Sequence, residues 1–300
     1  MGQRVLVTGS TGVLGRRVVP RLVEAGHTVT AVVRSEAKAA AARADGATPV
    51  EVDLFDREAL RATLAGFDAV AHLATHIPTG PSALRRSGWR VNDSLRREAS
   101  ATIAAAAVDV GVGRMIQESI TFPYIDRGDE WIDEQCERQY YWGNDSVAAA
   151  EASAAGVTAA GGVGVVLRFA MFMAPDSAHT ESTVNAAKNG LFSIVGAIDG
   201  YMSFIHIDDA AAAVVAALSA PAGAYNVAEP EPMRRSAHRD ALTEVVGRSK
   251  IRTVPAVVER AGGNVVNSIA RSHRISSWRF REVSPWTSTI HCVDRWKELR

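Results

Sequence analysis

Residues Arg4–Gly15 read RVLVTGSTGVLG. A short run of valine and leucine, the mark of a buried strand, meets Gly9, Gly12 and Gly15 and then the amphipathic GRRVVPRLVEAG. Each glycine has a physical reason to be there. Gly9 permits the tight turn out of the strand, Gly12 leaves no side chain between the backbone and a bound pyrophosphate, and Gly15 lets the helix lie close on the strand. The helix start then offers unpaired N–H groups and a partial positive charge to phosphate oxygens. The strand before the loop and the helix after it separate this pattern from an ordinary glycine-rich turn. It reads as a dinucleotide site, with Thr11, Val13 and Leu14 beside Gly9 and Gly12 at the phosphates.

The alternation continues through the first two thirds of the chain. TVTAVV, TPVEVDL, FDAVAHLA, RMIQES and VGVVLRF read as further strands. Helices are predicted over SEAKAAAARADG, with Ser35 as N-cap and Gly46 as stop, and over DREALRATLAG, capped by Asp56. Two more run from about Trp89 to Val110 and from about Asp145 to Ala160. Apolar strands separated by helices imply a parallel sheet covered on both faces. Right-handed crossovers make this an α/β fold with a doubly wound parallel sheet, the Rossmann arrangement. After Phe169 the texture changes. MFMAPDSAHT and AEPEPMRRSAHR read as loops, with FIHIDDAAAAVVAALSA as a strand and helix between them. A small C-terminal cap carrying Trp278, Trp286 and Trp296 is expected, its indoles either packed or stacked on a flat ligand.

Composition narrows the function. Of 300 residues, 47% are hydrophobic, which supports a sizeable core. Lys plus Arg and Asp plus Glu are both 33, so the net charge is zero, against a nucleic-acid or membrane-surface partner. Neither a signal peptide nor an apolar run long enough to span a bilayer is visible. The two cysteines, Cys136 and Cys292, form no C-x-x-C pair, which fits a reduced, cytoplasmic setting. No metal site is expected.

The end of the second strand selects the cofactor. An NAD-specific site places Asp or Glu there, to accept from the ribose 2′-hydroxyl. Here Val32 and Val33 are followed by Arg34 and Ser35. A guanidinium suits a 2′-phosphate through charge-assisted, bidentate contacts. The expected cofactor is NADP(H).

Taken together, these residues resemble the extended and atypical short-chain dehydrogenase/reductases, the NAD-dependent epimerase/dehydratase-like group. TGSTGVLG is similar to that group's glycine loop. VDLFD implies that Asp53 and Leu54 lie by the adenine, and DAVAHLAT that Leu73, Ala74 and Thr75 lie by the ribose. WRVND matches its structural asparagine, here Asn92, and VVLRFAMFMAPDS the segment beside the nicotinamide, including Phe169. The resemblance implies an NADP-binding Rossmann domain over residues 1–170, continued by 201–228, and a substrate-binding cap from 171–200 and 229–300.

The departure lies in YYWGNDSVAAAEA, Tyr140 to Ala152. Aligning the helix through Glu151 puts Gly143 and Val147 where the group keeps a catalytic tyrosine and lysine. In QESITFPY an ungapped match puts Ile120 at the polarising serine or threonine, leaving Ser119 or Thr121 to orient a carbonyl. A reductase lacking the pair is expected to use a substrate that activates itself. A ketone hydrogen-bonded to its own neighbouring phenol is polarised before it binds, so a flat polycyclic aromatic ketone of the angucyclinone polyketide type is the expected substrate. His76, Tyr140, Tyr141, Met171, Met173 and His179 are the candidate substrate contacts. Glu118 reads as structural, and His206, Asp208 and Asp209 as a strand end capping a helix. A non-catalytic NADP(H)-binding regulator and a sugar-nucleotide epimerase or dehydratase are the rival functions. Oligomeric state is not legible.

Overall fold

The computed structural model describes residues 2–248 and 250–296. Its centre is a sheet of seven strands: β1 (Arg4–Thr8), β2 (Thr28–Val32), β3 (Thr48–Val50), β4 (Ala69–His72), β5 (Arg114–Ile120), and, after the two-residue β6 (Trp131–Ile132), β7 (Val163–Phe169). The seventh, β12 (Gly223–Val227), follows β8 (Met171–Met173), β9 (Phe192–Ile194), β10 (Tyr201–Met202) and β11 (Phe204–His206), which pair outside the sheet. The order is β12-β7-β5-β4-β1-β2-β3, with every pairing parallel. Order reverses between β1 and β4, and the crevice opens there.

Helices cover both faces. They are α1 (Gly15–Glu24), α2 (Glu36–Ala44), α3 (Arg57–Leu64), α4 (Arg86–Ser94), α5 (Ser100–Asp109), α6 (Ser146–Ala159), α7 (Ala178–Lys188) and α8 (Ile207–Ala216). One apolar cluster joins β1, β4 and β7 to α1 and α8, and a second joins the other face to α3 and α5. The Asp56 carboxylate caps α3 by accepting from Glu58 N and Ala59 N. Ser35 occupies the N-cap of α2, but its hydroxyl caps nothing. The predicted third strand is shorter than TPVEVDL. It ends at Val50, on the sheet's edge where Pro49 is tolerated, and the rest turns.

Two differences from the sequence reading bear on the site. The long helix predicted from Trp89 to Val110 is interrupted by a π-helical turn, Leu95–Ala99, which buries Arg96. Such turns recur at functional sites. The segments read as loops also hold helices. MFMAPDSAHT runs through β8 into α7, and AEPEPMRRSAHR runs through β13 (Met233–Arg234) into α9 (Arg235–Val246). Their apolar residues are few, and both helices fold by packing on each other. A third core holds Met173, Val184, Ile194, Phe204, Leu242 and Trp296. Beyond α9 come the short α10 (Ala256–Ala261) and α11 (Gly263–Ala270). Trp286 and Trp296 are buried, so packing, not ligand stacking, explains them, while Trp278 is exposed.

Candidate active site

The glycine loop is shaped by its main chain. Gly9 has φ +66°, and a Cβ there would stand 2.6 Å from Ala74 N at the end of β4. At Gly15 a Cβ would meet Gly9 O at 2.1 Å. Gly12 differs: it is exposed, and the nearest atom to its absent Cβ is Gly9 O at 3.3 Å. The volume a side chain would fill is open to a ligand. The Ser10 hydroxyl donates to Val32 O at 2.7 Å and ties the loop to β2. Buried Leu14 precedes α1, and no side chain caps that helix; Arg16 N and Arg17 N turn back to Gly12 O and Leu14 O, which leaves the N–H groups of Val13, Leu14 and Gly15 to the cradle. Thr11 and Val13 flank it, half-buried. These residues fit a dinucleotide.

Arg34 and Ser35 stand exposed just beyond β2, and Arg34 pairs with no group among the described residues. Asp53 accepts from Phe55 N at 3.0 Å and so braces its own turn, with Leu54 packed beside it on the second core. Beyond β4, Leu73 is buried, and Ala74 and Thr75 are half-buried. Asn92 is fully buried, and its Oδ1 accepts from His76 N at 3.1 Å, so it holds the loop after β4 in place. Beneath the crevice, His72 Nε2 faces Leu95 O at 3.3 Å, which makes Nε2 the protonated nitrogen. Nδ1 then accepts from the Thr8 hydroxyl at 2.6 Å. Burial pulls His72 down to about 4, so the ring is neutral.

Past β5 the material changes to buried charge. Arg168 on β7 donates Nε and Nη2 to the two Glu151 oxygens, each at 2.8 Å, and Nη1 to the Tyr124 hydroxyl. The Tyr124 hydroxyl donates to Asn226 Oδ1 at 2.8 Å, and Arg138 also pairs with Glu151. Burial alone would raise the Glu151 carboxyl, but the bonds from Arg168 outweigh it and hold it below its ordinary value. Ser119 belongs to this network: its hydroxyl donates to Glu151 Oε1 at 2.7 Å. The two-residue period of the strand turns it toward α6, where it braces Glu151. Glu118 accepts from Arg96 Nη2 at 2.9 Å on both oxygens, a buried pair delivered by the π-helical turn. The Glu151–Arg168 pair fixes the register of α6. It leaves Gly143 in the preceding turn and Val147 buried in the first helical turn.

Thr121 remains. Its backbone is pinned by Phe169 O at 3.1 Å, while its hydroxyl bonds no group among the described residues. It opens on a cavity it shares with Phe122, Met171, Arg235, Arg271 and His273. Of the expected substrate contacts, Met171 alone lines this cavity. Met173 lies in the third core, and Phe169 is buried against Phe172 with ring centroids 5.2 Å apart. His179 Nε2 lies 3.3 Å from Met171 Sδ, behind the wall. His76 is exposed on its loop. The Tyr141 hydroxyl meets Ser268 Oγ at 3.0 Å, and Tyr140 packs under the Arg138 guanidinium, 5.5 Å from its ring. Burial pushes both phenols above their ordinary value, the reverse of what an activated acid needs. Arg96, Arg168, Arg235 and Arg271 were not anticipated. A charged residue inside VVLRF was the available signal for Arg168.

Relatives of known activity bear on this arrangement. The 3-diazoavenalumate denitrifying reductase of a Streptomyces species is 29% identical over 300 residues, covering 95% of this chain and 96% of its own. The 4-hydroxy-2-methyl-3-oxo-4-farnesyl-3,4-dihydroquinoline-1-oxide ketoreductase of Stigmatella aurantiaca is 39% identical over 116 residues, 39% of this chain and 33% of its own. The UDP-Glc/GlcNAc 4-epimerase of Campylobacter jejuni superposes with a TM-score of 0.76 at 18% identity, covering 99% of this chain and 98% of that one, a likeness of fold. The pattern of the NAD dependent epimerase/dehydratase family matches residues 5–228. That span settles kinship: the protein belongs to the NAD dependent epimerase/dehydratase family and is an NAD(P)-dependent oxidoreductase.

Proposed function

We propose that this protein is an NADPH-dependent ketoreductase acting on a polycyclic aromatic ketone of the angucyclinone type. A near relation to the angucyclinone ketoreductase of simocyclinone biosynthesis is part of the same proposal. The reading rests on the resemblance that aligns Gly143 and Val147 with the tyrosine and lysine positions, supported by the Glu151–Arg168 pair that anchors α6 and by an open glycine cradle. NADPH, when bound, supplies the hydride. The glycine loop and the start of α1 hold the pyrophosphate, and Arg34 with Ser35 holds the 2′-phosphate. Thr121 orients the ketone oxygen, and Phe122 and Met171 keep water from the ring. Among the described residues no side chain lining the cavity is a tuned acid, so the phenol beside the ketone carries the developing negative charge and water returns the proton. A missing acid forfeits about 10²- to 10⁴-fold. Positioning alone supplies roughly 7–11 kcal/mol, which leaves catalysis feasible.

The Streptomyces denitrifying reductase, alike over nearly its whole length, favours a second reading: reduction of a diazo-bearing substrate with loss of nitrogen. That chemistry also needs no acid at a carbonyl oxygen.

The test is NADPH consumption by the purified protein with polycyclic ketones that carry or lack a phenol beside the ketone. Turnover restricted to the phenol-bearing ketones is expected. Turnover indifferent to the phenol removes substrate assistance, and none with any ketone favours the diazo reading or a regulator. Arg34→Asp should weaken NADPH by about 10- to 100-fold, the worth of a charge-assisted pair, and leave NADH nearly unchanged. Equal effects on both refute the NADP(H) assignment.

A further inference from the structure

We infer that the cavity at Thr121 is an anion site, in which Arg235 receives the carboxylate or phenolate of an aromatic substrate. This deepens the reductase reading and rests on it for the identity of the cavity. The lining includes two arginines, Arg235 and Arg271, and no Asp or Glu. Arg235 opens α9 and is 1% exposed. Its Nη2 donates to Ile269 O at 2.9 Å and Arg271 O at 2.7 Å, at the end of α11. Its Nε and Nη1 are buried with no partner among the described residues, and no carboxylate there forms an ion pair with it. A buried guanidinium with two nitrogens left unpartnered and no direct ion pair is costly, and in a folded protein it asks for an explanation.

The fold makes room for this group deliberately. A Cβ at Gly200 would stand 2.6 Å from Nη1, and one at Gly196 would stand 2.8 Å from Cζ. The nearest acids, Asp126 and Glu259, act on Arg235 through their charge but make no ion pair with it, because their oxygens are held by backbone N–H groups. Asp126 accepts from Gly128 N at 2.8 Å and Ser272 N at 2.9 Å, and Glu259 accepts from Gly196 N at 2.6 Å. Arg271 donates to Tyr124 O and to the Gln139 side chain, so it too meets no carboxylate. Burial holds His273 neutral, down at about 4, with its Nε2 at 2.9 Å from Tyr124 O. Phe122, Met171, Met202 and Tyr201 supply the walls for a ring. The cavity is about 20 Å³ as it stands, room for a water, so a ring enters by displacing lining side chains.

Calorimetric titration with hydroxynaphthoate, its neutral isostere hydroxynaphthamide, and dinitronaphtholate tests this, with and without saturating NADP⁺. The unmodified protein should bind at least one anion about tenfold or more tightly than the amide. Arg235→Gln should abolish that preference and leave amide and NADPH affinities in place, while Arg235→Lys keeps part of it. Whichever anion carries the Arg235-dependent preference, naphthoate or naphtholate, identifies carboxylate or phenolate as the group. Equal affinity for anions and amide, failure of both anions to bind, or a preference that survives Arg235→Gln overturns the inference. The first two need no variant and stand even if Arg235→Gln fails to fold. NADPH titration separates the two proposals. Loss of NADPH binding with anion preference intact removes the reductase reading alone.

Discussion

The glycine-loop side of this site is made of backbone, and the side beyond β5 is made of buried charge. On the first, Gly9, Gly12 and Gly15 sit within one turn of chain and their job is to lack side chains. On the second, Ser119, Glu151, Arg168, Tyr124 and Asn226 meet from segments far apart, the last two separated by 102 residues. A backbone cradle tolerates change nearly everywhere around it but not at its glycines. A charge network tolerates replacement as a set but not the loss of one member.

The largest effect should follow from Gly9→Val. A β-branched residue at φ +66°, with its Cβ 2.6 Å from Ala74 N, strains the loop and pushes β4 away from β1. A loss on the order of 4–5 kcal/mol in urea unfolding is expected, with cofactor affinity gone as well. A variant that keeps the parent's midpoint would mean the cradle is pliable, and the contrast between the two sides would collapse.

Next should come Glu151→Ala, which leaves Arg168 buried with no carboxylate. Breaking such a pair costs about 3–5 kcal/mol. NADPH affinity should survive in whatever fraction folds, since no member of the network touches the glycine loop. Pairing it with Arg168→Met should recover much of the loss. A double variant no better than the single would show that Arg168 matters through Tyr124 instead.

Acid probes both sides at once. Burial pulls His72 and His273 down to about 4 and His238 to about 3, against an ordinary 6.5. The folded chain keeps these rings neutral while the unfolded chain protonates them. Stability is therefore fully present above pH 6.5 and declines as pH falls through that value toward 4. Each histidine contributes about 1.4 kcal/mol per pH unit over that window. Glu229 acts in the opposite sense, because burial pushes its carboxyl up to about 7, so its contribution is lost as pH rises from 4.5 through 7. Three histidines outweigh one glutamate, and the midpoint temperature should drop between pH 6.5 and 5. A flat profile would mean the rings find protons or partners in the folded state.

What the sequence revealed divides along the same line. The strand, the turn at the glycines and Asp56 as a cap were legible because each acts within a few residues of itself. The bond from Ser119 to Glu151 was not legible, because its partner lies on another element. Asn92 was legible as a structural asparagine from WRVND, but its partner, the backbone of His76, shows only in the fold. Met171 and Met173 share one face of β8 and both pack toward the third core, so the period of the strand does not tell that Met171, less buried, also reaches the cavity. Arg235 sits in a segment read as loop, and its isolation shows only when the chain is folded around it.

The smallest effect expected is also the most informative about chemistry. Replacing both Tyr140 and Tyr141 with Phe removes one hydroxyl without a partner and one that meets Ser268. If the substrate carries its own phenol, neither hydroxyl donates the proton, and turnover should change by less than about threefold, far below the 10²–10⁴ of a lost general acid. The modest stability change should come from Tyr141, whose hydrogen bond fastens the turn before α6 to α11, at about 1 kcal/mol. A collapse of turnover with NADPH affinity unchanged would put a displaced tyrosine acid on the substrate side after all. Separating the two substitutions would then tell which, since Tyr141 is tied to the cap and Tyr140 is not.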